Sequence, residues 1–155
     1  MTAHVDSLVN EDILKRAGDY AKTHGLAYAG AVTPAEAHQL VQSGSAKLVD
    51  VRFKFEREYV GRVPETVGIE WKDINTGAVN PDFVKTLSEQ FGRDDKLVFL
   101  CRSGVRSDAA AKAATQAGFS HAYNILEGFE GDLDEAKHRG NKGGWRRAGL
   151  PWIQG

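Results

Sequence analysis

The stretch Leu97-Val98-Phe99-Leu100-Cys101-Arg102-Ser103-Gly104-Val105-Arg106-Ser107 constrains this chain more than any other. Four consecutive apolar residues read as a short strand buried on both faces. A helical run of small residues, Asp108-Ala109-Ala110-Ala111-Lys112-Ala113, begins after seven intervening residues, with Ser107 as a suitable N-cap. A strand, a tight turn and a helix therefore follow one another. The single cysteine of the chain stands at the front of the turn. Main-chain N–H groups at a helix start have no helical partners and point toward an anion. The helix dipole adds a partial positive charge, and Arg102 and Arg106 add two full ones. Each effect favours S⁻ over SH at Cys101. Gly104 supplies the permissive dihedral that lets a loop curl around one atom.

The rest of the chain alternates in the same way. Asn10-Glu11-Asp12 opens an amphipathic helix, with Asn10 as N-cap and Gly25 as stop. Leu26–Ala29 is a short strand. Thr33-Pro34-Ala35-Glu36 reads as a capping box with proline at the first helical position, and that helix ends near Gly44 with His38 on its surface. Leu48-Val49-Asp50-Val51 is a strand. Asp50 and Arg52 read as scaffold charges, with Glu58 a partner for Arg52. The segment 53–59 reads as a short helix with its aromatics toward the core, and Val67–Trp71 as a further strand. Asn80-Pro81 begins a helix that stops at Gly92. Ala109–Ala117 is helical with Gly118 as its C-cap, and Ala122–Leu126 is the last strand. The glycine-rich turn 127–132 is placed to close over the cysteine loop. The loop 138–144 is flexible and basic, and Trp145, Leu150 and Trp152 anchor the tail. Alternating helices and apolar strands make an α/β protein with a parallel sheet. Ligands bind at the carboxyl ends of such strands, where Cys101 falls.

The composition narrows the partners. A net charge of -1 in 155 residues gives no general attraction for nucleic acid or a membrane, so any affinity for anions is local. One cysteine excludes an internal disulfide and paired-cysteine metal motifs. A lone reactive thiol suits a reducing compartment. The first residues lack a basic region followed by an apolar core, and no apolar run approaches the roughly 20 residues of a membrane helix. The cytoplasm is the expected location.

Cys101-Arg102-Ser103-Gly104-Val105-Arg106-Ser107 resembles the active-site loop of the rhodanese sulfurtransferases. Leu48-Val49-Asp50-Val51-Arg52, Glu58-Tyr59 and Gly61-Arg62-Val63-Pro64 resemble the first signature of that family. Ala117-Gly118-Phe119, Tyr123–Phe129 and Ala148-Gly149-Leu150-Pro151 resemble its second half, so the likeness spans about residues 32–152. It implies a three-layer α/β/α domain around a parallel sheet over residues 31–155, preceded by a helical extension over 1–30. It implies transfer of a sulfane sulfur from thiosulfate or a related anionic persulfide or polysulfide, through a persulfide on Cys101, to cyanide or a thiol, a protein thiol included. Arg102 and Arg106 would bind the donor's charge. The main chain of Arg102, Ser103, Gly104, Val105, Arg106 and Ser107 would hold the outer sulfur. No metal or organic cofactor is implied.

Two positions qualify the likeness. Arg62 stands where the family commonly has histidine, and either lines the entrance or is a solvated surface charge. Trp71 either borders the mouth of the site or packs in the core. Two other functions stay open. One is a partner-binding module without catalysis. The other is a cysteine-dependent phosphatase or arsenate reductase. Such phosphatases generally place five residues between cysteine and arginine, whereas four separate Cys101 from Arg106.

Overall fold

The computed structural model describes residues 3–155. Helix α1 runs over Ala3–His24, strand β1 over Gly30–Val32, helix α2 over Pro34–Gln42 and strand β2 over Lys47–Asp50. A single π-helical turn spans Glu56–Val60. Strand β3 covers Val67–Gly68, helix α3 Phe83–Gln90, strand β4 Lys96–Leu100, helix α4 Val105–Gln116 and strand β5 His121–Ile125. The strands form one parallel sheet in the order β1-β5-β4-β2-β3.

The alternation of side chains along β4 builds two cores at once. Leu97 and Phe99 face one side, with Phe83 and Leu87 of α3 and Ala110, Ala111 and Ala114 of α4. Val98 and Leu100 face the other, with Ala37 and Leu40 of α2 and Ile13 and Ala17 of α1. A strand covered on both faces has no polar side, which is why the Leu97–Leu100 run is continuous rather than alternating. The small residues of α4 let its axis approach the sheet. The three layers match what the family likeness implies, and the N-terminal helix shares a core with the sheet.

Several boundaries differ from the sequence reading. Helix α1 begins well before Asn10, whose amide instead donates to Ser43 Oγ at 2.8 Å and ties α1 to the end of α2. The first strand lies at Gly30–Val32, not at 26–29. Only Ala29 of that stretch joins the sheet, its N–H donating to Ala122 O. Asn80 does not cap α3. Its Oδ1 accepts from the N–H of Asp82, a local turn that delays the helix to Phe83. The capping box of α2 is present, with Thr33 Oγ1 accepting from Glu36 N and Glu36 Oε1 from Thr33 N.

The strand order places the site. From β2 the chain moves outward to β3, and from β4 it moves the opposite way to β5. The segments leaving these two neighbouring strands diverge and open a crevice beyond their carboxyl ends. Cys101 is the first residue past β4.

Candidate active site

Cys101 is 1% exposed. Its Sγ accepts a hydrogen bond from Gly104 N–H at 3.0 Å. Gly104 has φ 111°, a conformation that glycine adopts freely, and it is the residue that turns the chain into α4. The helix thus starts at Val105, two residues before the expected cap at Ser107. No side chain caps it, so the first-turn N–H groups are left to the loop. A helix start, rather than a histidine, supplies the positive potential at the sulfur.

Ser107 is fully buried and lies inside the loop. Its Oγ is 3.2 Å from Sγ and donates to Asn124 Oδ1 at 2.5 Å. Asn124, on β5, donates from Nδ2 to Gly104 O at 3.2 Å. One amide therefore fixes both the serine and the glycine that touch the sulfur. Tyr28 closes the same layer by donating to Asp108 Oδ1 at 2.5 Å, in the first turn of α4. Burial pushes the Tyr28 hydroxyl above its usual range, and the Asp108 carboxylate that accepts its proton adds to the shift.

The two loop arginines differ. Arg102 is exposed, with no acid within ion-pair distance among the described residues. Arg106 is committed to Glu56: Nη1 donates to Oε1 at 2.6 Å and Nη2 to Oε2 at 2.9 Å. Burial opposes both charges. The paired geometry outweighs it, so Glu56 stays below the ordinary carboxylate range and Arg106 above its own. The pair spans the crevice, joining the segment after β2 to the loop after β4. Arg106 therefore faces the loop already paired with an acid, whereas Arg102 does not.

The turn after β5 supports the loop from behind rather than covering it. Phe129 N–H donates to Cys101 O at 2.8 Å and Glu130 N–H to Arg102 O at 2.9 Å. Gly128, at φ 64°, lies so close that a Cβ there would be 2.5 Å from Arg102 C and O. The glycine is required by that contact.

The other sequence candidates fall as follows. Ser103 is half-buried in the loop, and Val105 is 76% exposed at its rim. Trp71 packs in the core edge-on to Phe83, with ring centroids 5.0 Å apart, and does not form the mouth. Arg62 is turned away: its main chain pairs with Ile153 and its Nη1 donates to Gly155 O. Arg52 pairs with Asp50, not Glu58. It is fully buried, its Nη2 2.8 Å from Asp50 Oδ2 and its guanidinium stacked on Phe129. The aromatics of 53–59 do not turn inward, since Phe55 and Tyr59 are 46% and 76% exposed. The 138–144 loop is held in place: Asp134 Oδ1 accepts from Ala136 N and His138 N, and Oδ2 accepts from Asn141 Nδ2. The tail anchors unevenly, with Trp145 buried and Trp152 38% exposed.

Glu56, Asn124 and Gly128 were not singled out by sequence reasoning. Glu56 carried only a weak signal, an acid shortly after a signature strand. Asn124 interrupts an otherwise apolar strand, which is a signal of a buried polar task.

A thiol on a helix start, at the carboxyl end of a central parallel strand, defines a class of α/β proteins with a cysteine loop at the carboxyl edge of the sheet. Comparison with known proteins narrows the class. The rhodanese-like domain model matches residues 33–135, so the chain belongs to the rhodanese-like family. A crystal structure of Rv0390 from M. tuberculosis superposes with a TM-score of 0.74 at 45% identity, covering 83% of this chain and 99% of that one. The RP600 homolog of Rickettsia rickettsii is 34% identical, covering 73% of this chain and 87% of its own length. "Thiosulfate sulfurtransferase 16, chloroplastic" of Arabidopsis thaliana is 29% identical over 74% of this chain and 85% of its own. Among the described residues, no helix is long and apolar enough to cross a membrane.

Proposed function

We propose that the protein is a sulfurtransferase that carries sulfane sulfur as a persulfide of Cys101. The observation that carries this reading is the placement of Sγ. The only thiol lies at the start of α4, accepts Gly104 N–H at 3.0 Å and is enclosed by a loop one residue shorter than an oxyanion cradle needs. The family supports the reading, as does the name of the Arabidopsis relative.

In the first step the Cys101 thiolate attacks the outer sulfur of thiosulfate. The Sγ–S bond forms, the S–S bond of the donor breaks, and sulfite leaves with the electron pair. Arg102, the unpaired loop cation, draws in the anionic donor and stabilises departing sulfite. The first-turn N–H groups of α4 hold the negative outer sulfur. In the second step cyanide or a thiolate takes that sulfur and Cys101 returns as thiolate. No base is needed when the thiol is already ionised. Asn124 and Ser107 keep the loop in shape, and the Glu56–Arg106 pair locks it to the segment after β2.

The test is thiocyanate formation from thiosulfate and cyanide by the wild type and by Cys101→Ser. The wild type turns over, and the variant is inactive with an unchanged circular dichroism spectrum. Turnover by the folded variant would refute the persulfide route.

A further inference from the structure

The crevice beside the cysteine loop holds a cavity of about 480 Å³. That is within the range of pockets for organic ligands, and roomier than a thiosulfate or cyanide ion requires. Its charges are unequal. Two acids line it, and each has an arginine: Glu56 is on Arg106, and Glu130 is 3.8 Å from Arg146. Three cations, Lys72, Arg102 and Arg139, also line it, and among the described residues none has an acid within 4 Å. The unbalanced charge of the lining is therefore positive. One wall is apolar, formed by Phe53 and Phe55, stacked with centroids 5.6 Å apart and planes at 13°. Phe55 is 46% exposed although it stands in a well-packed domain.

These features are built rather than incidental. The backbone bridge between Lys72 and Val79 fixes the position of the lysine. Arg139 donates from Nη1 to Gly131 O at 2.8 Å, which leaves its other N–H groups unused. Arg139 belongs to the basic 138–144 loop, for which the sulfur-transfer reaction itself has no use.

We infer that this cavity docks the sulfur acceptor, and that the acceptor is an organic thiol carrying two carboxylates on an apolar frame. The inference rests on the sulfurtransferase reading and names its second substrate. The acceptor thiolate attacks the outer sulfur of the Cys101 persulfide. A new S–S bond forms to the acceptor, the Sγ–S bond breaks, and its electron pair returns to Sγ. The outer sulfur keeps its negative charge in the acceptor's persulfide, so no proton, oxidant or reductant is consumed. Lys72 and Arg139 bind the carboxylates, Phe53 and Phe55 cover the apolar frame, and Arg102 guides the thiolate to the loop. Lys72, Arg139 and Phe55 are specificity-determining residues in this arrangement.

The experiment compares acceptors of rising charge with thiosulfate as donor: 2-mercaptoethanol, 3-mercaptopropionate and mercaptosuccinate. For Lys72→Ala/Arg139→Ala, kcat/KM with mercaptosuccinate falls on the order of tenfold or more, and the loss shrinks in high salt. With 2-mercaptoethanol and with cyanide it changes less than about twofold. Equal losses on all acceptors, or none on mercaptosuccinate, would overturn the inference. Binding supplies a readout independent of turnover. Calorimetric titration of Cys101→Ser with mercaptosuccinate shows binding that Lys72→Ala/Arg139→Ala abolishes in the same background. Absent binding overturns the docking site, whereas failure of thiosulfate–cyanide turnover by the wild type overturns the sulfurtransferase reading. Phe55→Ala removes the preference for 4-mercaptophenylacetate over 3-mercaptopropionate, and a retained preference counts against the apolar wall.

Discussion

Replacing Glu56 by glutamine tests the contact that ties the cysteine loop to the rest of the crevice. The side chain accepts from Arg106 at 2.6 and 2.9 Å and from Phe53 N–H at 3.1 Å. Glutamine keeps one acceptor and turns an NH2 group toward a guanidinium. Hydrogen bonds to charged groups contribute about 1.5–3 kcal/mol each, and removing one member of a fully buried ion pair costs about 3–5 kcal/mol. Here the side chains of Arg106 and Glu56 are 16% and 9% exposed, so part of the cost is relieved by water. The expected loss is about 2–4 kcal/mol, or a fall in Tm on the order of 10 °C for a chain of this size. Thermal and urea unfolding of Glu56→Gln, Arg106→Met and the double variant measure it. The cycle should return a coupling of about 2 kcal/mol. The pH dependence has a fixed sign. The pair holds the folded-state pKa of Glu56 below its ordinary 4.5, so its stabilisation is present above that pH and fades as the pH falls below it. The gap between wild type and Glu56→Gln therefore narrows in acid. Additive single variants, or a gap that is constant through that range, would refute the reasoning.

Two further variants read other supports of the loop. Gly128→Ala places a Cβ 2.5 Å from Arg102 C and O at a positive φ. The left-handed backbone and the overpacking together cost about 2–5 kcal/mol. The backbone of Cys101 and Arg102 must move, so thiocyanate formation drops even at temperatures where circular dichroism shows a folded chain. An unchanged Tm with full activity would contradict the contact. Tyr28 is held neutral by burial and by Asp108, with its folded-state pKa above the ordinary 10.0. Its contribution is complete below that pH and is lost as the pH rises through the folded value. Wild type thus loses stability in strong alkali, and Tyr28→Phe loses less. Parallel alkaline profiles in urea unfolding would exclude the assignment.

Local chemistry was legible in the sequence, and tertiary partnership was not. The capping box at Thr33 and Glu36 involves residues three apart and can be read from the letters alone. The Leu97–Leu100 run and the glycine after Cys101 likewise announce a buried strand and a turn. Asn10 and Asn80 misled because asparagine serves caps, turns and long-range bonds equally well. Asn10 reaches across 33 positions to Ser43. The Glu56–Arg106 pair spans 50 positions, and no local rule joins them. Arg52 chose the acid two residues away over Glu58 because the stacked ring of Phe129 holds its guanidinium over Asp50. The turn 127–132 read as a cover because the contact of Gly128 with the main chain of Arg102 exists only once β4 and β5 lie side by side. The unpaired cations of the cavity come from three separate segments, and only the fold brings Lys72, Arg102 and Arg139 together.

Intact-protein and peptide mass spectrometry after incubation with thiosulfate, and again after cyanide, tests the central claim most directly. The account predicts a gain of one sulfur on Cys101 that cyanide removes, with thiocyanate formed. A protein that gains no sulfur from thiosulfate, polysulfide or an organic persulfide would contradict it.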